Sequence, residues 1–173
     1  LLFMGAELGQ EKEWDFNAEL GWAEAKEPER LKLGEFFRAA GAFYRETPAL
    51  WQRDFDPSGF CWLCPDEASA NVLGFMRRGE TGSELIFLAS FSGQSQAFTL
   101  GVPRQGVYET VFSTDCPALG GGGAQPKGTL FVSQEQPCHG QPWSIRVDLP
   151  PLSAIFLQVP EASASETACA DST

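Results

Sequence analysis

Four carboxylates, Glu7, Glu11, Glu13 and Asp15, fall close together near the start of the chain, with Gln10 and Trp14 set among them. Paired carboxylates are what glycosidic chemistry requires, one giving and taking a proton while the other attacks or activates water across a gap of about 5 to 9 Å. Closeness in sequence does not fix such a gap, and a solvated acidic loop is the ordinary reading of a charge run. The indole of Trp14 adds a second kind of recognition, because a flat apolar face suits the C–H face of a pyranose. Of the five tryptophans (14, 22, 51, 62 and 143), Trp14 is the strongest ligand candidate. It sits in a polar loop, where binding residues concentrate, whereas Trp62 and Trp143 lie in strand patterns that predict core positions.

Three other constellations carry less. Cys61-Trp62-Leu63-Cys64, with Cys116 and Cys138-His139 further on, has the residue types of a zinc site. The pair lies in a strand-like run, however, where positions i and i+3 face opposite sides, while structural zinc pairs sit on tight turns. His139 is the sole histidine, so any Ser/His/Asp or Cys/His nucleophile must use it; between Pro137-Cys138 and Gly140-Gln141-Pro142 it reads as a solvated loop residue. Gly120 to Gly123 lacks the Lys-Ser/Thr of a phosphate cradle and reads as a flexible surface loop.

The bulk properties limit the partners. The 173 residues are 43% hydrophobic and carry a formal charge of -11, enough apolar material for one full core plus a smaller attached unit, and acidic enough to repel a phosphate backbone or an anionic membrane. Neither nucleic acid nor membrane is therefore an expected partner, and neutral sugars remain. No run approaches a membrane span or a secretory leader, and five cysteines, an odd number, predict free thiols in a reducing, cytoplasmic setting.

These residues need elements to hold them. Leu1 to Met4 reads as a short buried strand running into Gly5-Ala6-Glu7-Leu8-Gly9-Gln10 and a polar loop, as at the carboxyl end of a parallel α/β unit. From Pro28, apolar residues at three- and four-residue spacing (Leu31, Leu33, Phe36, Phe37, Ala40, Phe43, Tyr44) predict a helix that Thr47-Pro48 stops. After Trp51 the period falls to two. Strands are expected at 60–63, 72–77, 85–91, 97–102, 108–113, 129–132, 144–149 and 154–159, with Trp143, Ile145, Val147 and Leu149 inward and Ser144, Arg146 and Asp148 outward. Eight short strands without a helix between them predict an antiparallel sandwich or Greek-key domain, followed by a small, polar, disordered tail at 160–173.

The order of these segments adds a resemblance. LLFMGAELGQEKEWD, then the helix ending in Tyr44-Arg45-Glu46-Thr47-Pro48-Ala49-Leu50-Trp51, then Asp54 to Trp62, Val72 to Gly79, Leu100-Gly101-Val102-Pro103, His139-Gly140 and Leu149-Pro150-Pro151-Leu152 together resemble the C-terminal portion of bacterial glycogen branching enzymes, of the α-amylase superfamily. The resemblance implies that residues 1–52 are the eighth strand, loop and helix of a (β/α)8 TIM barrel and that 58–159 form its all-β C-terminal domain. It implies a parent enzyme that cleaves α-1,4 glucan chains and transfers them to a 6-hydroxyl, with an aspartate nucleophile, a glutamate acid/base and no cofactor. Those carboxylates precede the last barrel strand, so no catalytic residue is assigned to this chain. Glu7, Gln10, Trp14 and Asp15, at the carboxyl end of the barrel strand, are the substrate-binding candidates, facing α-glucan (glycogen or maltooligosaccharides). The missing N-terminal part of the barrel is the implied protein partner. A maltooligosyltrehalose trehalohydrolase and a stand-alone carbohydrate-binding β domain are the alternatives. The family usually has Phe at the position of Leu8 and Asn in the strands that here read Leu88-Ala89-Ser90-Phe91 and Val111-Phe112-Ser113-Thr114-Asp115, which puts any turn made by those side chains in doubt.

Overall fold

A computed structural model describes residues 3–161 of the chain. One helix, α1 (Pro28–Glu46), precedes eight strands: β1 (Phe60–Cys64), β2 (Val72–Arg78), β3 (Glu84–Ser90), β4 (Gln96–Val102), β5 (Val107–Ser113), β6 (Leu130–Val132), β7 (Trp143–Leu149) and β8 (Ser153–Gln158). All eight expected strands form within a residue or so of their expected limits. β1-β2-β3-β8-β5-β6 make a six-stranded antiparallel sheet and β4-β7 a two-stranded one. Their facing sides enclose Val72, Met76, Ile86, Leu88, Leu100, Val102, Tyr108, Ile145, Val147, Leu149, Ile155 and Leu157. That is the inward half of each period-two pattern, placed by alternation alone.

The other side of the large sheet carries a row of aromatic rings drawn from five of its six strands. Phe112, Phe156, Phe87 and Phe75 lie on β5, β8, β3 and β2, and Phe60 and Trp62 on β1; neighbouring rings are 4.7 to 6.1 Å apart. α1 covers one end. Its Phe43 stacks on Phe112 at 4.9 Å and packs on Phe156 at 5.1 Å, and Phe36 reaches Phe112 at 6.5 Å. Pro at the first turn starts α1, and Thr47-Pro48 ends it and begins the short 3-10 turn Pro48–Leu50, whose Ala49 is buried. Arg77 on β2 then holds the connecting segment through Asp54 and the Leu50 carbonyl.

Several local expectations are corrected. Phe3 and Met4 are irregular and exposed, and neither pairs with any strand among the described residues; an isolated strand has no ladder to join. Leu1 and Leu2, Cys169 and the expected tail from 162 onward lie outside the described residues. A bulge between Trp62 and Cys64 adds a residue to β1, so Cys64 turns to the same core side as Cys61 instead of the opposite one. Burial, with Glu67 and Cys138 nearby, pushes the Cys64 thiol up to about 12. Trp62 belongs to the outer aromatic row and is half exposed. Ser144, expected outward, is buried because its backbone pairs with Gln134 and brings that segment over it. Ser90 and Ser113 make short turns of their own, accepting from Ser92 N and Asp115 N respectively.

The glycine run is not an open linker. It closes around Asp115, whose carboxylate accepts from Gly122 N at 2.7 Å and Gln125 N at 2.9 Å while its carbonyl accepts from Gly123 N. Gly121 passes so close to the Asp115 backbone that a Cβ there would collide with it. His139 is likewise not solvated: Nδ1 accepts from Gly101 N at 3.1 Å, Nε2 lies 3.2 Å from Glu67, and the ring stacks on Phe98.

Burial of Asp115 favours its neutral form, but the backbone donors of Gln125, Gly122, Ala124 and Gly123 outweigh this and hold its pKa below the ordinary value. A carboxylate depressed in the folded state contributes stability above the unfolded pKa of about 3.9, and that contribution disappears as pH falls through the folded value. Asp115→Asn should therefore lose about 1–3 kcal/mol at pH 7 in urea unfolding. The gap to the unmodified chain should narrow below about pH 4, and a constant gap down to pH 2 would contradict the loop's reliance on that charge.

Candidate functional site

The loop from Gly5 to Glu27 is fixed at both ends before it forms a cleft. Gly5 (φ +90°) and Gly9 (φ +63°) take the left-handed conformation on either side of a single 3-10 turn, Ala6–Leu8. The Gln10 side chain folds back against Gly5, accepts from Gly21 N through Oε1 at 3.3 Å and donates through Nε2 to the Lys12 carbonyl at 3.0 Å. One amide thus ties the start of the loop to its middle. Arg30, in the first turn of α1, ties both arms to the helix. Nη1 donates to the Gly9 carbonyl at 2.5 Å and lies 3.4 Å from Glu24, Nη2 meets Glu11 at 2.9 Å, and Nε meets Glu27 at 3.0 Å. Partial burial opposes the Arg30 charge, but Glu27, Glu11 and Glu24 more than offset it and raise its pKa.

Between these ties lies a cleft of about 370 Å³ lined by Gln10, Lys12, Glu13, Trp14, Asp15, Ala18, Glu19, Leu20, Gly21 and Glu24. Trp14 is 40% exposed, and its ring meets Phe3 edge-on at 5.3 Å. Asp15 Oδ1 accepts from the backbone and side chain of Asn17, so this carboxylate holds a turn as well as lining the cleft. Three of the four expected residues, Gln10, Trp14 and Asp15, therefore come together. Glu7 does not join them: it is half-buried in the Ala6–Leu8 turn, outside the cleft lining.

Sequence reasoning overlooked Arg30, and a signal was present. A cation in the first turn of a helix opposes the macrodipole, so it needs nearby anions, and three glutamates supply them. The remaining lining residues, Lys12, Ala18, Glu19, Leu20, Gly21 and Glu24, form no period or motif and are placed only by the folded loop.

An antiparallel all-β domain thus follows a helix that anchors an acidic, tryptophan-bearing cleft. Residues 62–160, more than half of the chain, match the family model of the alpha-amylase C-terminal all-beta domain, and the chain belongs to that family. Over most of its length it is also similar to proteins named 1,4-alpha-glucan branching enzyme. That of Rubrobacter xylanophilus is 39% identical over 160 residues, 91% of this chain and 22% of the relative. Those of Nocardia farcinica and Halothermothrix orenii are 37% and 35% identical, over 94% and 91% of this chain and 22% and 25% of theirs. The chain spans about a quarter of the length of these relatives.

Gly5→Ala should push a Cβ into the Gln10 amide, which lies 2.8 Å from the position that carbon would take, at a φ that alanine resists. The expected outcome is faster hydrogen exchange at the Gly21 amide with unchanged exchange in β8. Unchanged protection at Gly21 would show that Gln10 does not hold the loop.

Proposed function

We propose that this chain is part of a 1,4-α-glucan branching enzyme, which cleaves α-1,4 chains and rejoins them as α-1,6 branches in glycogen synthesis. In that reading, residues 1–52 complete a (β/α)8 barrel, 58–159 are the β domain behind it, and the loop after Gly5 forms one wall of the glucan cleft. Gln10, Trp14 and Asp15 face the sugar, and Glu7 lies in the turn beside them. The nucleophile and acid/base belong to the remainder of the barrel. No cofactor takes part, and the enzyme works in the cytoplasm.

The observation that carries the reading is the cleft itself: an exposed indole, an anchored amide and a carboxylate converge on one concavity. An aromatic platform flanked by polar hydrogen-bonding groups suits a pyranose. Four carboxylates against one lysine in the lining favour a neutral glucan over a phosphorylated one. Support for a larger barrel comes from the apolar side chains this unit leaves in solvent, Phe3, Met4, Phe16, Trp22, Leu31 and Tyr44. Among the described residues, no helix is long and apolar enough to cross a membrane, and the four described cysteines are free thiols, in keeping with a reducing compartment.

Residues 1–173 alone should show no turnover in an iodine-stain branching assay, because the reacting carboxylates lie elsewhere; turnover would refute the assignment. Maltoheptaose titrated against this chain, followed by tryptophan fluorescence, should give a signal that Trp14→Ala abolishes. Binding that survives Trp14→Ala would instead favour a free-standing carbohydrate-binding β domain.

A further inference from the structure

The side chain of Arg30 is only 12% exposed and lies outside the cleft lining, and each of its three guanidinium nitrogens is engaged by the loop or by the helix start. Its partners are not random neighbours. Gly9 immediately precedes Gln10, Glu11 lies between the lining residues Gln10 and Lys12, and Glu24 is itself a lining residue at the far arm. One rigid fork therefore sets the distance between the two arms of the cleft and fixes both to the first turn of α1.

We infer that Arg30 is a positioning residue for glucan binding, acting through the loop and never touching the sugar; this rests on the glucan reading of the cleft. Three features favour a positioning role over simple charge balance. A cation at a helix start works against the macrodipole, so the placement is unfavourable until the loop closes on it. The contact to Gly9 is to a backbone carbonyl, which a neighbouring charge alone does not require. The contacts also diverge from one planar group, a geometry that a lysine ammonium cannot reproduce. Loop order supplied in advance removes an entropic cost that the ligand would otherwise meet on binding.

The test uses the full chain and two variants, Arg30→Gln and Arg30→Lys, with maltoheptaose as the probe. Hydrogen exchange is read at the Gln10 and Gly21 amides, and affinity by calorimetry. Arg30→Gln should lose protection at those amides while α1 beyond its first turn and β8 keep theirs, and should bind at least about tenfold more weakly. Arg30→Lys keeps the charge that balances Glu11, Glu24 and Glu27, so it remains the informative variant if Arg30→Gln does not fold; its affinity should fall between the other two. Wild-type protection in both variants, or wild-type affinity despite lost protection, would overturn the positioning role alone. A wild-type chain that does not bind maltoheptaose, with its loop protected as expected, would overturn the glucan reading and this role with it.

Discussion

Everything near the cleft depends on covering the aromatic row on the outer side of the six-stranded sheet. A sheet with one face in the core must still dispose of its second face, and here that face is built from Phe112, Phe156, Phe87, Phe75 and Phe60. Phe36 and Phe43 of α1 lock onto the end formed by β5 and β8, each ring pair adding about 0.5–1.5 kcal/mol beyond the area it buries. The position of α1 fixes Arg30, Arg30 fixes the two arms of the loop, and the arms fix where Trp14 and Gln10 stand. The β domain thus acts on the cleft without contributing a residue to its lining.

The sandwich was legible because period-two alternation and regular turn punctuation survive in almost every strand, and helix α1 because its apolar residues recur at helical spacing between two prolines. What escaped was set by contacts distant in sequence or by single-residue irregularities. A bulge cannot be seen in the letters Cys-Trp-Leu-Cys, yet it brings Cys64 to the side of Cys61. A run of four glycines looks like a linker until Asp115 is found at its centre, taking backbone donors from Gly122 and Gln125 while Gly121 passes closer to its backbone than a Cβ would allow. His139 lies in a loop whose tip, turned over Gly101 and Glu67, leaves the ring just 15% exposed.

The site was readable in kind and less so in detail. An acidic, tryptophan-bearing loop before an amphipathic helix marked the region, and Gln10, Trp14 and Asp15 do line one concavity. Glu7 lies outside that concavity, in a three-residue 3-10 turn with left-handed glycines on both sides. The strand expected at Leu1 to Met4 depends on neighbours; Phe3 and Met4 show no pairing, as backbone groups without a partner ladder do not form one. The family model covers the β domain, while the candidate cleft lies in residues 10–24, none of which is fully buried.

Joined through the phenylalanine seam, α1 and the large sheet should open as one cooperative unit. Native-state hydrogen exchange of the intact chain, followed across a series of low urea concentrations, tests it directly. Amides in the second half of α1, around Phe43, should converge on the same opening free energy as those of β8. If α1 opens at a much lower free energy and independently of β8, the seam does not hold the helix, and the route from the β domain to the cleft fails.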